Sequence, residues 1–183
     1  MFNLQKFKTK PEIVLLVFIA VFSRLIPHPP NMTAIFGAAL FSGWALKNTP
    51  FKAVLLPLLA LFISDFFIGF HDLMWATYLG VAVSALISLK FLKLQTASVL
   101  GVSFCSSFAF YLISNFGVWA SSGGTLLYEK SFSGLTQCYI MALPFFQNSL
   151  ISDLSSSILI FGVYFLWQKL VSPNLKSHSV LKN

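Results

Sequence analysis

The chain has 183 residues, of which 57% are hydrophobic and only 9% charged, with 12 basic side chains against five acidic ones and a net charge of +7. Soluble domains carry about 25% charged residues, so this composition, with a mean hydropathy of +0.81, excludes a water-soluble fold and describes an integral membrane protein. The size of 20.3 kDa leaves room for one helical bundle and none for a nucleotide-binding unit; the lysines lie singly between apolar runs, so nucleic acid is not an expected partner.

Crossing roughly 30 Å of hydrocarbon takes about 20 apolar residues, and six candidate spans follow in chain order. The first, residues 12–26, stops at Pro27-His28-Pro29-Pro30, where backbone donors are missing and helix is disfavoured. Lys6, Lys8 and Lys10 ahead of it also suit a signal peptide, but Arg24 interrupts the run and no small-residue cleavage site follows, so an uncleaved helix is expected. The second, residues 32–46, is short; the third, 51–70, contains Pro57 and ends in Gly69-Phe70-His71-Asp72. The fourth and fifth occupy 73–92 and 96–119, and the sixth 149–170, closed by Ser172-Pro173-Asn174. Between the last two, residues 120–148 open with Ser121-Ser122-Gly123-Gly124 and turn apolar only from Leu135 to Phe146, broken at Pro144. That segment is expected to be an external half-helix or re-entrant cap, acceptable at membrane depth only where protein or water covers its backbone. The expected fold is therefore all-α: one polytopic membrane bundle of about six transmembrane helices with an external cap.

With both termini in the cytoplasm, ten lysines fall inside and only Arg24 and Lys130 outside, as the positive-inside rule requires. The costly polar groups then gather at the outer ends: Arg24, His28 and Asn31 at that of the first hairpin, Asp65, His71 and Asp72 at that of the third helix, Asn115 and Trp119 at that of the fifth, Asn148 and Asp153 at that of the sixth. An ionisable group in a membrane segment is a functional-site hypothesis by default. Side chains four apart share a helical face, which aligns Ser103, Ser107, Tyr111, Asn115 and Trp119 on the fifth helix and Ser149, Asp153 and Ser157 on the sixth. With Trp75 and Tyr78 on the fourth helix and Tyr139 in the cap, these groups suit a site for a small molecule: Asp65, Asn115 and Asp153 for its polar groups, aromatic rings for its apolar body. The competing readings are an interfacial aromatic belt for Trp75, Tyr78 and Trp119 and a buried structural network for Asp65, Asn115 and Asp153. Arg24 is expected to pair with Asp65 or Asp153, because an unpaired charge there is expensive.

His28, His71 and Cys138 could hold a transition metal, but their spacings match no metal motif, and Cys105 and Cys138 signal neither a zinc site nor a disulfide framework. No cofactor is expected. No Ser/His, His-x-x-x-His or Gly-x-x-x-x-Gly-Lys constellation is present, so an enzyme is not expected. Small-residue stripes on the second helix (Ala34, Ala38, Ser42) and the fourth (Ala76, Gly80, Ser84, Ser88) allow close helix approach, within the chain or against a partner.

The runs Ser23-Arg24-Leu25-Ile26-Pro27-His28-Pro29-Pro30-Asn31, Ser64-Asp65 with Gly69-Phe70-His71, Ser114-Asn115-Phe116-Gly117-Val118-Trp119, and Cys138-Tyr139 with Pro144-Phe145-Phe146, Asn148 and Asp153-Leu154 together resemble an uncharacterised family of short bacterial six-helix membrane proteins. That family is more distantly similar to the substrate-binding S components of energy-coupling-factor vitamin transporters. The resemblance implies a location in the bacterial cytoplasmic membrane and capture of a vitamin or cofactor-like molecule from outside, with a membrane coupling subunit and its ATPases as possible partners. S components that share such a module carry an Ala-x-x-x-Ala surface on the first helix, where this chain has only Ala20, so the docking surface is expected on the second helix or not at all. The alternative function is a non-transporting scaffold or assembly subunit.

Overall fold

The computed structural model describes the backbone of residues 10–122 and 128–171, and side chains over 15–122 and 128–166. Six helices follow one another: α1 (Lys10–Leu25), α2 (Ile35–Ala45), α3 (Pro50–Ile68), α4 (Met74–Phe91), α5 (Thr96–Ser121) and α6 (Phe132–Val171). No strand occurs among the described residues, in keeping with the expected helical membrane bundle. Only α3, α4, α5 and α6 are long and apolar enough to cross a membrane; the described apolar parts of α1 and α2 are shorter. The six expected helices are therefore present as four long ones and two short ones.

The shortest helix is the centre of the bundle. α2 has 11 residues, ten of them buried, and at the helical rise it is roughly 16 Å long, about half the hydrocarbon depth. A helix apolar on every side must be covered by protein or by lipid, and α2, too short to span, packs against all five other helices. Close approach depends on small residues: a Cβ on Gly37 would meet Ser156 of α6, and one on Gly43 would run into the Ala85 carbonyl of α4. Ser42 Oγ donates to the Ala53 carbonyl at 2.6 Å, and Ser88 Oγ to the Leu40 carbonyl. Both small-residue stripes are spent on this internal packing. Ala38, Ser42, Ala76, Gly80, Ser84 and Ser88 are all buried and Ala34 is half-buried.

Elsewhere the usual inside-out order of a soluble protein is reversed. Serines and two aspartates supply the buried polar groups, while Phe62, Phe66 and Phe67 of α3 and Ile151, Ile158 and Leu159 of α6 face outward. Small hydroxyl-bearing interiors and bulky apolar exteriors are what helix packing in lipid produces. Opposite the polar ends, Phe41 and Trp44 of α2 close against Phe161 and Tyr164 of α6, with ring centroids 5.1–5.8 Å apart.

The largest departure from expectation is α6. Residues 132–148 are not a separate capping half-helix, and Pro144 does not end one; it lies inside a continuous helix of 40 residues, roughly 60 Å long at about 1.5 Å per residue, twice the hydrocarbon depth. Proline removes one donor and clashes with the preceding turn, but here the preceding turn is braced by α5. Tyr111 Oη donates to the Tyr139 carbonyl at 2.6 Å, Tyr139 Oη to the Leu112 carbonyl at 2.9 Å, and Cys138 Sγ to the Asn115 carbonyl at 3.4 Å.

Candidate small-molecule site

The α1–α2 loop brings Asn31 to the rim of the site and is tightly specified. Asn31 adopts the left-handed conformation, φ 64°, which Asn tolerates better than most residues, after a turn in which Met32 N donates to the Pro29 carbonyl at 3.1 Å. Ser23 Oγ accepts the Ala34 N–H at 3.0 Å while donating to the Ala20 carbonyl at 2.8 Å, which fixes where α2 begins. α6 is tied to this loop twice, by Asn148 Nδ2 donating to the Pro30 carbonyl at 3.2 Å and Ser152 Oγ to the Thr33 carbonyl at 2.9 Å.

Between that loop, the start of α4, α5 and α6 lies a cavity of about 200 Å³. Asn31 and His71 stand at its rim; α4 contributes Leu73, Ala76 and Thr77, α5 contributes Phe110, Tyr111, Ser114, Asn115 and Val118, and α6 contributes Ala142, Phe145, Phe146 and Ser149. Four expected site residues, Asn31, His71, Tyr111 and Asn115, therefore share one cavity. The Tyr111 ring is 4.9 Å from Phe146 and 5.5 Å from Tyr139. Asn115 Nδ2 donates to the Tyr111 carbonyl one turn back at 2.8 Å, which leaves its other N–H and its oxygen able to meet a ligand.

The other expected residues sit around the cavity without lining it. Tyr139 lies behind Tyr111. Trp119 donates to the Glu129 carbonyl at 3.0 Å and carries Lys130 Nζ 5.0 Å above its ring; the same ammonium donates to the Trp119 and Ala120 carbonyls, closing the C-terminus of α5. Trp75 is half exposed, with its ring against Gly117 of α5. His28 is exposed and folds onto the Pro29 carbonyl at 2.9 Å, and Asn148 serves the loop contact. Cys138 is buried while both histidines are exposed, and among the described residues no three His, Cys, Asp or Glu side chains form a metal-ligating group.

The two intramembrane aspartates divide into separate clusters. Arg24 Nη2 lies 2.6 Å from Asp65 Oδ1, with the two side chains 14% and 1% exposed, so α1 and α3 share a buried ion pair. Its angles are poor for a hydrogen bond, and the buried Tyr78 hydroxyl, within electrostatic reach of both charges, also lacks hydrogen-bond geometry. Of the two partners expected for Arg24, the structure selects Asp65. Asp153, buried between α5 and α6, accepts a 2.6 Å hydrogen bond from Ser107 Oγ, and one turn along, Ser103 Oγ donates to Ser157 Oγ at 2.9 Å.

Sequence reasoning missed Thr77, Phe110, Ser114, Phe145 and Phe146 as lining residues. Phe145 and Phe146 were readable only once the Pro144 segment was known to continue as α6 beside α5. Ser149, on the same helical face as Asp153, joins the cavity to the Asp153 cluster one turn away.

A family model described as a family of unknown function (DUF6580) matches residues 5–175. No curated protein and no solved structure matches the chain.

Proposed function

The chain belongs to that family of unknown function, and we propose that it is a substrate-binding membrane protein of the transport type, similar in role to a vitamin-capturing S component. The observation that carries the reading is the cavity itself, where aromatic faces of Phe110, Tyr111 and Phe146 meet the polar groups of Asn31, His71, Thr77, Ser114 and Asn115. Aromatic walls with a few convergent donors and acceptors are how ligand sites combine affinity with orientation. A volume of about 200 Å³ is below the roughly 300–1,000 Å³ of sites for drug-sized ligands. The ligand is therefore a compact heterocycle or a vitamin of one or two rings, not a porphyrin or corrinoid. Lysine asymmetry opens the cavity to the outside of a bacterial cytoplasmic membrane, with both termini within the cell. Energy for uptake, if a coupling subunit and its ATPases supply it, enters through a lipid-facing surface, because α2 is enclosed.

The test is a thermal-shift screen of the purified protein across vitamins, flavins, nucleobases and related rings, with mass spectrometry of whatever co-purifies. A true ligand raises the melting temperature by mass action, worth about 2.7 kcal/mol at a hundredfold excess over Kd. Asn115→Leu keeps the apolar packing, loses the carboxamide and should abolish that shift in a folded, monodisperse protein. A screen without a ligand, together with unimpaired cellular function of Asn115→Leu, favours a scaffold in which the polar groups only hold helices together.

A further inference from the structure

The Asp153 cluster lies outside the cavity lining, and Asp153 has no ion-pair partner among the described residues. Asp153 is 1% exposed; its Oδ2 accepts from Ser107, but its Oδ1 is buried with no hydrogen-bond partner. The single ion pair among the described residues is Arg24–Asp65, so no basic side chain there neutralises Asp153. An isolated carboxylate in a low-dielectric interior is far more costly than one that is paired or bound to a cation.

The surroundings are built of oxygen. α5 and α6 meet in two serine rungs one helical turn apart: Ser107 with Asp153, and Ser103 with Ser157. Each hydroxyl has one proton and two lone pairs. Ser107 Oγ has a second acceptor within reach, the Ser103 carbonyl at 3.0 Å. Handing its proton there turns its lone pairs toward whatever lies beside the carboxylate. Carboxylate, hydroxyl and carbonyl oxygens suit hard cations. One unpaired negative charge matches one positive charge, whereas a divalent ion would leave a net charge in the same apolar surroundings.

From the orphaned Asp153 oxygen and the serine rungs that flank it, we propose that α5 and α6 hold a monovalent metal cation, sodium by size and hardness, on Asp153 with the hydroxyls of Ser107, Ser103 and Ser157. The site lies one turn from Ser149, so the ion would sit directly behind the cavity wall.

The experiment uses the full chain in detergent or nanodiscs. ²²Na⁺ binding should saturate near one ion per chain, and NaCl titrated against choline chloride at constant ionic strength should give a saturable rise in melting temperature. Asp153→Asn, nearly isosteric and uncharged, should remove both signals, and Ser107→Ala should raise the sodium midpoint about tenfold. Should Asp153→Asn fail to fold, ²²Na⁺ binding by the wild type and by Ser107→Ala still decides. The proposal is overturned if sodium and choline stabilise equally, if ²²Na⁺ does not bind, or if Asp153→Asn retains the sodium response. Stability that follows pH but ignores sodium also overturns it, because a proton then neutralises the carboxyl. The cavity's ligand is absent from every arm, so failure here leaves the capture reading standing.

Discussion

Replacing Arg24 with methionine isolates the cost of one buried charge. The guanidinium approaches Asp65 Oδ1 to 2.6 Å, and the aspartate is 1% exposed, with neither carboxylate oxygen in a well-formed hydrogen bond. Without Arg24 the carboxylate loses its ion-pair partner, the single one it has among the described residues. Removing one partner of a buried pair costs about 3–5 kcal/mol, while exchanging both for apolar residues of similar volume is often neutral or better. For chains of this length each kcal/mol moves the melting temperature by about 2–4 °C, so Arg24→Met should lower it by roughly 6–20 °C. The double variant Arg24→Met/Asp65→Leu should recover most of that loss. Melting curves of both, of Asp65→Leu, and of Lys52→Met at an exposed position complete the comparison. If Arg24→Met loses no more than Lys52→Met, or if the two single losses simply add in the double variant, the pair does not hold α1 to α3 in the way described.

Two further outcomes follow from the fold. Gly43→Ala pushes a methyl group into the Ala85 carbonyl and should destabilise by about 1–3 kcal/mol, the usual cost of overpacking, read as a lowered melting temperature; an unchanged value would mean that α2 and α4 are less closely apposed than the structure shows. In a variant with Cys105 and Cys138 replaced by alanine, a membrane-impermeant thiol reagent should label Glu129→Cys in intact cells and spare Lys93→Cys, and the reverse pattern would turn the cavity toward the cytoplasm.

The long helices were legible because twenty apolar residues in a row have few alternatives, and the Arg24–Asp65 pair because two opposite charges in an apolar chain must find each other. α2 was harder. Its residues look like a short span, and only its enclosure by every neighbour, made possible at Gly37 and Gly43, shows that length was never the requirement. Pro144 misled for a physical reason as well. A proline removes one donor from the helix without necessarily ending it, and here Tyr111 and Tyr139 tie the helix ahead of Pro144 to α5. The cavity was half legible: the face of Tyr111 and Asn115 follows from spacing alone, but Phe145 and Phe146 arrive through that unbroken helix. Asp153 was singled out by its cost, and its lack of a counter-charge emerged only when Arg24 was seen to be taken.

The enclosure of α2 also bears on how the protein is made. A segment of 11 apolar residues is too short to be retained in the bilayer as an independent span, yet it leaves the ribosome second. Four of its five walls arrive later, and the last of them is α6, whose Ser156 covers Gly37 and whose Phe161 covers Phe41 and Trp44. The core is encoded early and completed last. Until α6 emerges, one side of that future centre has no protein cover, because the residues that close over Gly37, Phe41 and Trp44 come from α6.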